Sequence, residues 1–219
     1  MKRSGKKRIL LLGVLLVFGI IFGQSDVDQI ERTMEIKIPT IVETNEAASY
    51  ENINKLLYEA SFRLLKTNSV DVETNFGDWD VVDYYSQATK TYENDRVMSL
   101  KMDQYLYTYR SAHGAHLFLG FVFDLKTGQE LMLNDLFQFN PDFISTVNGI
   151  MNEQIEEKVI PIFDFTAFQG LKDDSEFYLK EENLVVVFQE YAYTPYSYGP
   201  LIFHIPLSEL KGFLNPHFF

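Results

Sequence analysis

"DWDVVDYYSQATKTYENDRVMSLKMDQYLYTYR", residues 78–110, decides the fold. Apolar and aromatic residues alternate with polar ones along two long runs. Glu93-Asn94-Asp95-Arg96, the polar cluster between them, has the composition of a turn. The stretch therefore reads as two long strands joined as a hairpin. In the second run Met98, Leu100 and Met102 share one face, while Tyr105, Tyr107 and Tyr109 fall on the opposite parity. A one-residue slip near Asp103 or Gln104 predicts a bulge that turns both sets inward.

Upstream of the hairpin, "MEIKIPTIV" (34–42) alternates Met34, Ile36 and Ile38 with polar neighbours, the period of a half-buried strand. "ENINKLLYEASFRLL" (51–65) places Ile53, Leu56, Leu57, Ala60 and Leu64 on one helical stripe. A polar, glycine-containing stretch, 67–77, connects that helix to the hairpin.

Downstream, "HLFLGFVFDLKTGQELML" (116–133) is a buried strand, a Lys-Thr-Gly turn and a second short strand, with Gly128 as the left-handed residue. In "NPDFISTVNGIMNEQIEEK" (140–158) Asn140 caps a helix, Pro141 fits its first turn, and Ile144, Val147, Met151 and Ile155 form its apolar stripe. "EFYL", "NLVVVFQ" and "LIFHIP" are further strands, and "LSELKGFL" (207–214) is a short closing helix. The order β-α-β-β-β-β-α-β-β-β predicts an α+β fold with largely antiparallel sheets and two main helices. It divides into two small packed subdomains, 33–112 and 113–219, behind an N-terminal hydrophobic segment, 1–25.

That segment, "MKRSGKKRILLLGVLLVFGIIFGQSD", puts Lys2, Arg3, Lys6, Lys7 and Arg8 ahead of an unbroken apolar run, Ile9–Phe22. Basic, then apolar, then polar is the order of a membrane-targeting segment, and the basic flank stays in the cytoplasm. The run is short for a spanning helix, which needs about 20 apolar residues. It suits a signal peptide, with Gly23-Gln24-Ser25 as a weak cleavage site, as well as a retained N-terminal anchor. Either way the rest of the chain faces outward, anchored to the cell membrane or secreted. The absence of cysteine excludes a lipid-anchored lipoprotein and a disulfide scaffold.

The chain carries 19 basic and 31 acidic residues; without the five N-terminal cations the balance is 14 against 31, or −17. A domain so charged repels nucleic acid and anionic lipid and attracts cationic partners. With 46% hydrophobic and 15% aromatic residues, it can also bury a real core.

Motifs for chemistry are missing. There is no G-x-x-x-x-G-K-[ST], no G-x-G-x-x-G and no G-x-S-x-G. Asp71, Glu73 and Asn75 have calcium-loop spacing, but Phe76 stands where glycine is needed and Val82 where a bidentate glutamate is needed. His113 and His116 are the one close pair among four histidines, too few to hold a metal alone. They read as a glycine-bent turn leading into a strand, their rings bonded to backbone or carboxylate. His204, on the apolar strand "LIFHIP", reads as a satisfied core histidine. Acidic groups such as Asp173, Asp174 and Glu176, or Asp78, Asp80 and Asp83, read as solvated turns. No metal, no cofactor and no enzymatic reaction is expected. The alternatives are a carbohydrate-active hydrolase using Asp/Glu with His113 or His116, and a structural envelope protein.

"YAYTPYSYGP" (191–200) holds four tyrosines in ten residues. The spacing permits a strand ending at Tyr193, a bend at Pro195 and a return through Gly199-Pro200. Tyr191 and Tyr196 are expected to pack inward and anchor the bend by ring and hydroxyl. Tyr193 and Tyr198 are expected to face out, a platform for sugar rings or for a protein. The candidate binding residues are thus Tyr193, Tyr198, Tyr196, His113 and His116.

"SLKMDQYLYTYRSAHGAH", "FDLKTGQELMLNDLF", "FYLKEENLVVVFQEYAYTPYSYGP" and "IFHIPLSELKGFL" together resemble the extracytoplasmic region of RsiV-like anti-sigma factors, which also occurs at the N-terminal side of PdaC-like peptidoglycan deacetylases. The resemblance spans about residues 34–214, and Tyr191, Pro195, Tyr196, Gly199 and Pro200 match its recurring string. It implies two consecutive α+β domains of uncertain function, mostly in Gram-positive bacteria. In RsiV-like members this region binds lysozyme outside the cell and so releases a sigma factor inside. Only eight residues precede the apolar run, too few for a sigma-binding segment, and no deacetylase domain follows "FLNPHFF". The expectation is an exported binding or sensory module without either output, its partner a cationic protein such as lysozyme, or peptidoglycan.

Overall fold

A computed structural model describes residues 10–18, 33–42, 48–68, 81–138, 140–163 and 168–219. Asp71, Glu73, Asn75, Asp78, Asp80 and the Gly23-Gln24-Ser25 site lie outside these residues.

The fold is α+β, in two sheets with two main helices. The hairpin of 78–110 forms as strands β3 (Val81–Glu93) and β4 (Val97–Thr108), and β5 (Ala115–Asp124) pairs antiparallel on the far side of β4. β5 begins just past the division expected at 112/113, and it belongs to the same sheet as β3 and β4. On the other side β2 (Thr33–Val42) joins β3 in parallel, and β1 (Leu10–Phe18) pairs antiparallel with β2. The described part of the apolar leader is thus extended. Among the described residues no helix is long and apolar enough to cross a membrane.

The register of β4 with β5 runs unbroken from Val97 opposite Asp124 to Leu106 opposite Ala115, so the slip expected near Asp103 or Gln104 does not occur. The irregularities fall instead in β3, between Val81 and Asp83 and between Lys90 and Tyr92. The physical reason is that the tyrosines need not turn inward. They stay on a partly open face, beside the half-exposed Lys101–Asp103 pair, with Tyr105 and Tyr107 half-buried and Tyr109 exposed. Met98, Leu100, Met102, Leu119, Phe121 and Phe123 pack against Ile53, Leu57 and Ala60 of α1 (Ala48–Ala60). Gln104 continues that face and is buried there because it is fully used. Its amide donates to the Ala60 carbonyl (2.6 Å) and accepts from Leu64 N (2.9 Å), fixing the break between α1 and the short α2 (Arg63–Thr67).

The opposite face meets the second sheet, β6 (Glu176–Lys180), β7 (Asn183–Phe188) and β8 (Leu201–Pro206), all antiparallel. Before it, "ELML" makes only an isolated bridge at Glu130 opposite Phe123, and then the short α3 (Leu133–Leu136), not a strand. The turn ahead of it does form on Gly128, at φ 74°. The closing "LSELKGFL" is a run of turns.

Helix α4 (Pro141–Glu157) starts as its sequence dictates: the Asn140 side chain accepts from Phe143 N at 2.9 Å and Pro141 occupies the first turn. Phe143, Val147, Met151 and Ile155 are buried against Phe177, Leu179, Leu184, Val186, Phe203 and Ile205 of the second sheet. Ile144 is only half-buried, so Phe143 replaces it at the centre of the stripe. His204 is an exposed side chain on β8, not a core histidine. Its backbone carbonyl is held by the Gln154 amide at 2.7 Å.

The two sheets lock where β6 crosses β4 and β5. Leu179 N donates to the Ser99 hydroxyl (2.9 Å), which itself donates to the Phe121 carbonyl (2.8 Å), and the Thr91 hydroxyl donates to the Leu179 carbonyl (2.6 Å). A Cβ on Gly120 would overlap the Phe177 carbonyl, so the crossing requires a glycine there. Gly120→Ala is therefore expected to destabilise the fold by about 2–3 kcal/mol, an overpacking penalty against backbone that cannot yield. Urea unfolding checks this, and an unchanged midpoint would contradict the crossing geometry.

Candidate functional site

The loop from Gln189 to Pro200 joins β7 to β8, and its start is set by one side chain. The Gln189 amide accepts from Phe118 N (3.0 Å) and donates to the Phe118 carbonyl (2.6 Å), completing the open edge of β5 as a strand would. The chain then turns through Tyr191 at φ 65°, a left-handed conformation that is rare for a non-glycine residue. Pro195 leads into a 3₁₀ turn, Tyr196–Tyr198. Gly199 follows at φ 82°, and the buried Thr194 hydroxyl donates to the Gly199 carbonyl at 3.1 Å, closing the loop.

This backbone inverts the expected parity of the tyrosines. β7 ends at Phe188, not Tyr193, and the left-handed turn at Tyr191 sends its ring outward, 54% exposed. Tyr193 instead packs inward against Phe168 and Phe188, at centroid distances of 4.9 and 5.2 Å. Tyr196 is half-buried, and Tyr198 is exposed as expected.

The His113-Gly-Ala-His116 turn meets the loop from the far side. His113 stacks on Tyr196 at 4.0 Å between centroids, and its Nδ1 and Nε2 lie 2.8 Å from the Gly114 carbonyl and 3.0 Å from the Tyr191 hydroxyl. The carbonyl can only accept, so Nδ1 donates to Gly114, while Nε2 and the Tyr191 hydroxyl share the second bond. His116 packs on Tyr105 at 4.8 Å and lies parallel to Phe118 at 5.9 Å. Tyr105 in turn fills the space over Gly114 that a side chain there would occupy. The result is a continuous band of rings, Phe118, His116, Tyr105, Tyr196, His113 and Tyr191, across the start of β5 and the loop.

Glu190 stands beside this band. Partial burial raises its carboxyl above the usual range, and the two imidazoles, His116 foremost, pull it back down. Three of the five residues singled out from sequence, His113, His116 and Tyr196, come together here, whereas Tyr193 and Tyr198 do not join them. Tyr105, Tyr191 and Glu190 were missed. The parity break at Tyr105 is the signal that could have found the first, but nothing in the sequence marks the left-handed turn at Tyr191.

On the other side of the loop Tyr193 lines a cleft of about 600 Å³ with Phe163, Phe188, Gln169, Lys172 and Asp174. Glu176 also lines it, accepting from Gly120 N at 3.1 Å. Burial raises its carboxyl above the ordinary value, against the pull of that N–H and of Arg63. Among the described residues no group of three or more His, Asp or Glu stands together to hold a metal.

The architecture, two crossed sheets with a helix on each outer face, is shared by solved proteins of unknown function. Residues 134–208, which run from α3 through β8, match the family described as "Protein of unknown function (DUF3298)". A member of that family from Bacteroides fragilis is similar over 99% of this chain and 96% of its own, at 16% identity and a TM-score of 0.64. A DUF3298 family protein from Pseudomonas aeruginosa is similar over 99% and 98%, at 16% identity and a TM-score of 0.65. At that identity the likeness shows the fold. No curated protein matches the chain.

Two outcomes check the geometry. Tyr191→Gly is expected to be more stable than Tyr191→Ala by about 1 kcal/mol, because only glycine adopts the left-handed turn without strain; thermal melts read the difference, and equal stabilities would contradict the strain. Glu176 has a folded-state pKa above its unfolded value near 4.5, so its stabilising contribution is full below that pH and is lost as pH rises through the folded value. Glu176→Gln is accordingly expected to match the parent at pH 4 and to exceed its unfolding midpoint at pH 7.

Proposed function

We propose that this chain is an exported, non-enzymatic binding and sensory module at the bacterial cell surface, recognising its partner through the ring band of His113, His116, Tyr191 and Tyr196. The observation that carries the reading is the exposed Tyr191 ring, held outward by a strained backbone and the His113 nitrogen. A ring more than half exposed on a strained backbone, and fixed there by its neighbours in the band, is the large, rigid aromatic surface that interfaces favour. Export rests on the basic-then-apolar order of residues 2–22. The acidic balance, −17 beyond that segment, steers a cationic partner toward the surface.

The partner is a basic protein such as lysozyme, or cell-wall glycan. The resemblance to RsiV-like anti-sigma factors supports lysozyme. A hydrolase reading has one point in its favour, the Glu190 carboxyl beside two imidazoles. General acid–base work would need those groups aimed at a common reacting atom, and here both His113 nitrogens already have partners.

Capture of lysozyme by the full chain tests the proposal. The chain is expected to retain lysozyme at low salt and to release most of it at 0.5 M salt, and Tyr191→Ala is expected to weaken capture about tenfold, the loss of a ~1.4 kcal/mol contact. No capture at low salt would end the lysozyme reading.

A further inference from the structure

The cleft behind the loop has no role in the ring band, yet it has the size and lining of a small-ligand site. Its volume, about 600 Å³, falls within the range of about 300–1,000 Å³ that binding pockets occupy. Its wall is aromatic. Phe188 and Tyr193 meet edge to face at 5.2 Å and 80°, a rigid corner buttressed from behind by Phe168. Phe163 stands at the lip with 63% of its surface exposed, and its backbone N–H is fixed to the Tyr193 carbonyl at 2.9 Å. Phe163 thus offers an open ring face on an anchored backbone at the cleft.

Chemistry narrows the occupant. A purely apolar ligand would desolvate Gln169, Lys172 and Asp174 at the rim without giving them hydrogen bonds. A polyanion is opposed by the acidic chain and by two carboxylates, Asp174 and Glu176, against one lysine in the cleft. An extended peptide would use main-chain bonds along a strand edge, but the β5 edge beside the cleft is already completed by Gln189 and Glu176. What remains is a neutral ring with an apolar C–H face for the aromatic wall and hydroxyls or an amide for the polar rim.

We infer that the cleft lined by Phe163, Phe188, Tyr193, Gln169, Lys172 and Asp174 binds a pyranose unit of a neutral glycan, the ring lying against Phe163 and Tyr193 and its polar substituents meeting Gln169, Lys172 and Asp174. This deepens the glycan half of the function proposed above and rests on that reading for its setting, while placing the sugar on the opposite side of the loop from the ring band.

Calorimetric titration of the full chain with the tetramer of β-1,4-linked N-acetylglucosamine tests it, with lysozyme capture measured on the same preparations. Binding is expected to weaken at least tenfold in Phe163→Ala, whose exposed side chain contributes little to the core, and several-fold in Asp174→Ala. Tyr58→Ala, an exposed ring on α1 far from either face, is the control expected to change nothing. Saccharide binding lost in Tyr191→Ala but kept in Phe163→Ala would put the sugar on the ring band and overturn the inference. Absence of saccharide binding with lysozyme capture intact would overturn the inference alone. Saccharide binding without lysozyme capture would uphold it and leave the basic-protein reading to fall by itself.

Discussion

Strand β6 sits at an edge of its sheet, and its outward backbone groups have no strand to pair with. They are satisfied across the molecule instead. The Ser99 hydroxyl takes the Leu179 N–H and the Thr91 hydroxyl serves the Leu179 carbonyl, while in the other direction the Glu176 side chain of β6 takes the Gly120 N–H of β5. Leaving a buried backbone group unpaired costs about 1–3 kcal/mol, so this crossing is held by satisfaction as much as by apolar contact. It also dictates spacing: the backbones approach so closely that only glycine fits at residue 120. Because Val97 and Val122 of the first sheet share one core with α4 and the second sheet, the crossing ties the molecule into a single packed body.

The same device recurs at two further edges, β5 and β8, and positions the ring band. Gln189 completes β5 at Phe118, and Gln154 of α4 grips β8 at His204. An edge capped by an amide side chain offers fewer free groups to another strand, which guards against edge-to-edge association. The Gln189 bond has a further effect. It starts the 189–200 loop from a fixed point, so the left-handed turn at Tyr191 has a fixed direction. Tyr191 and Tyr196 then fall on the ring band, and Tyr193 falls in the cleft.

Features set by neighbours in the chain were legible from the sequence. The Asn140-Pro141 helix start, the α1 stripe through Ile53, Leu57 and Ala60, the Gly128 turn and the hairpin about Glu93–Arg96 all depend on spacings of a few residues. What escaped depends on contacts between distant positions. A tyrosine run of the wrong parity implies a bulge if one face of a sheet is wet. It implies none where the rings can stay half-exposed on the other face, as Tyr105 and Tyr107 do, and how far that face is covered is decided by a sheet some 80 residues downstream, as the pairing of Ser99 with Leu179 records. Tyr191 reads as a core anchor because an extended strand would bury it, whereas its φ of 65° belongs to a loop that closes on itself three to eight residues later, through Thr194 and Gly199. His113, His116 and Tyr196 could be named as candidates, but their meeting with Glu190 could not.

Native-state hydrogen exchange at the Leu179 and Gly120 amides tests the crossing most directly. Both amides are expected to exchange only through global unfolding, with the same free energy of opening as the β4 and β7 amides. Exchange at Leu179 through a smaller, separate opening, with the β4 amides still protected, would show that the two sheets part independently and that the hydroxyl bonds do not hold the fold together.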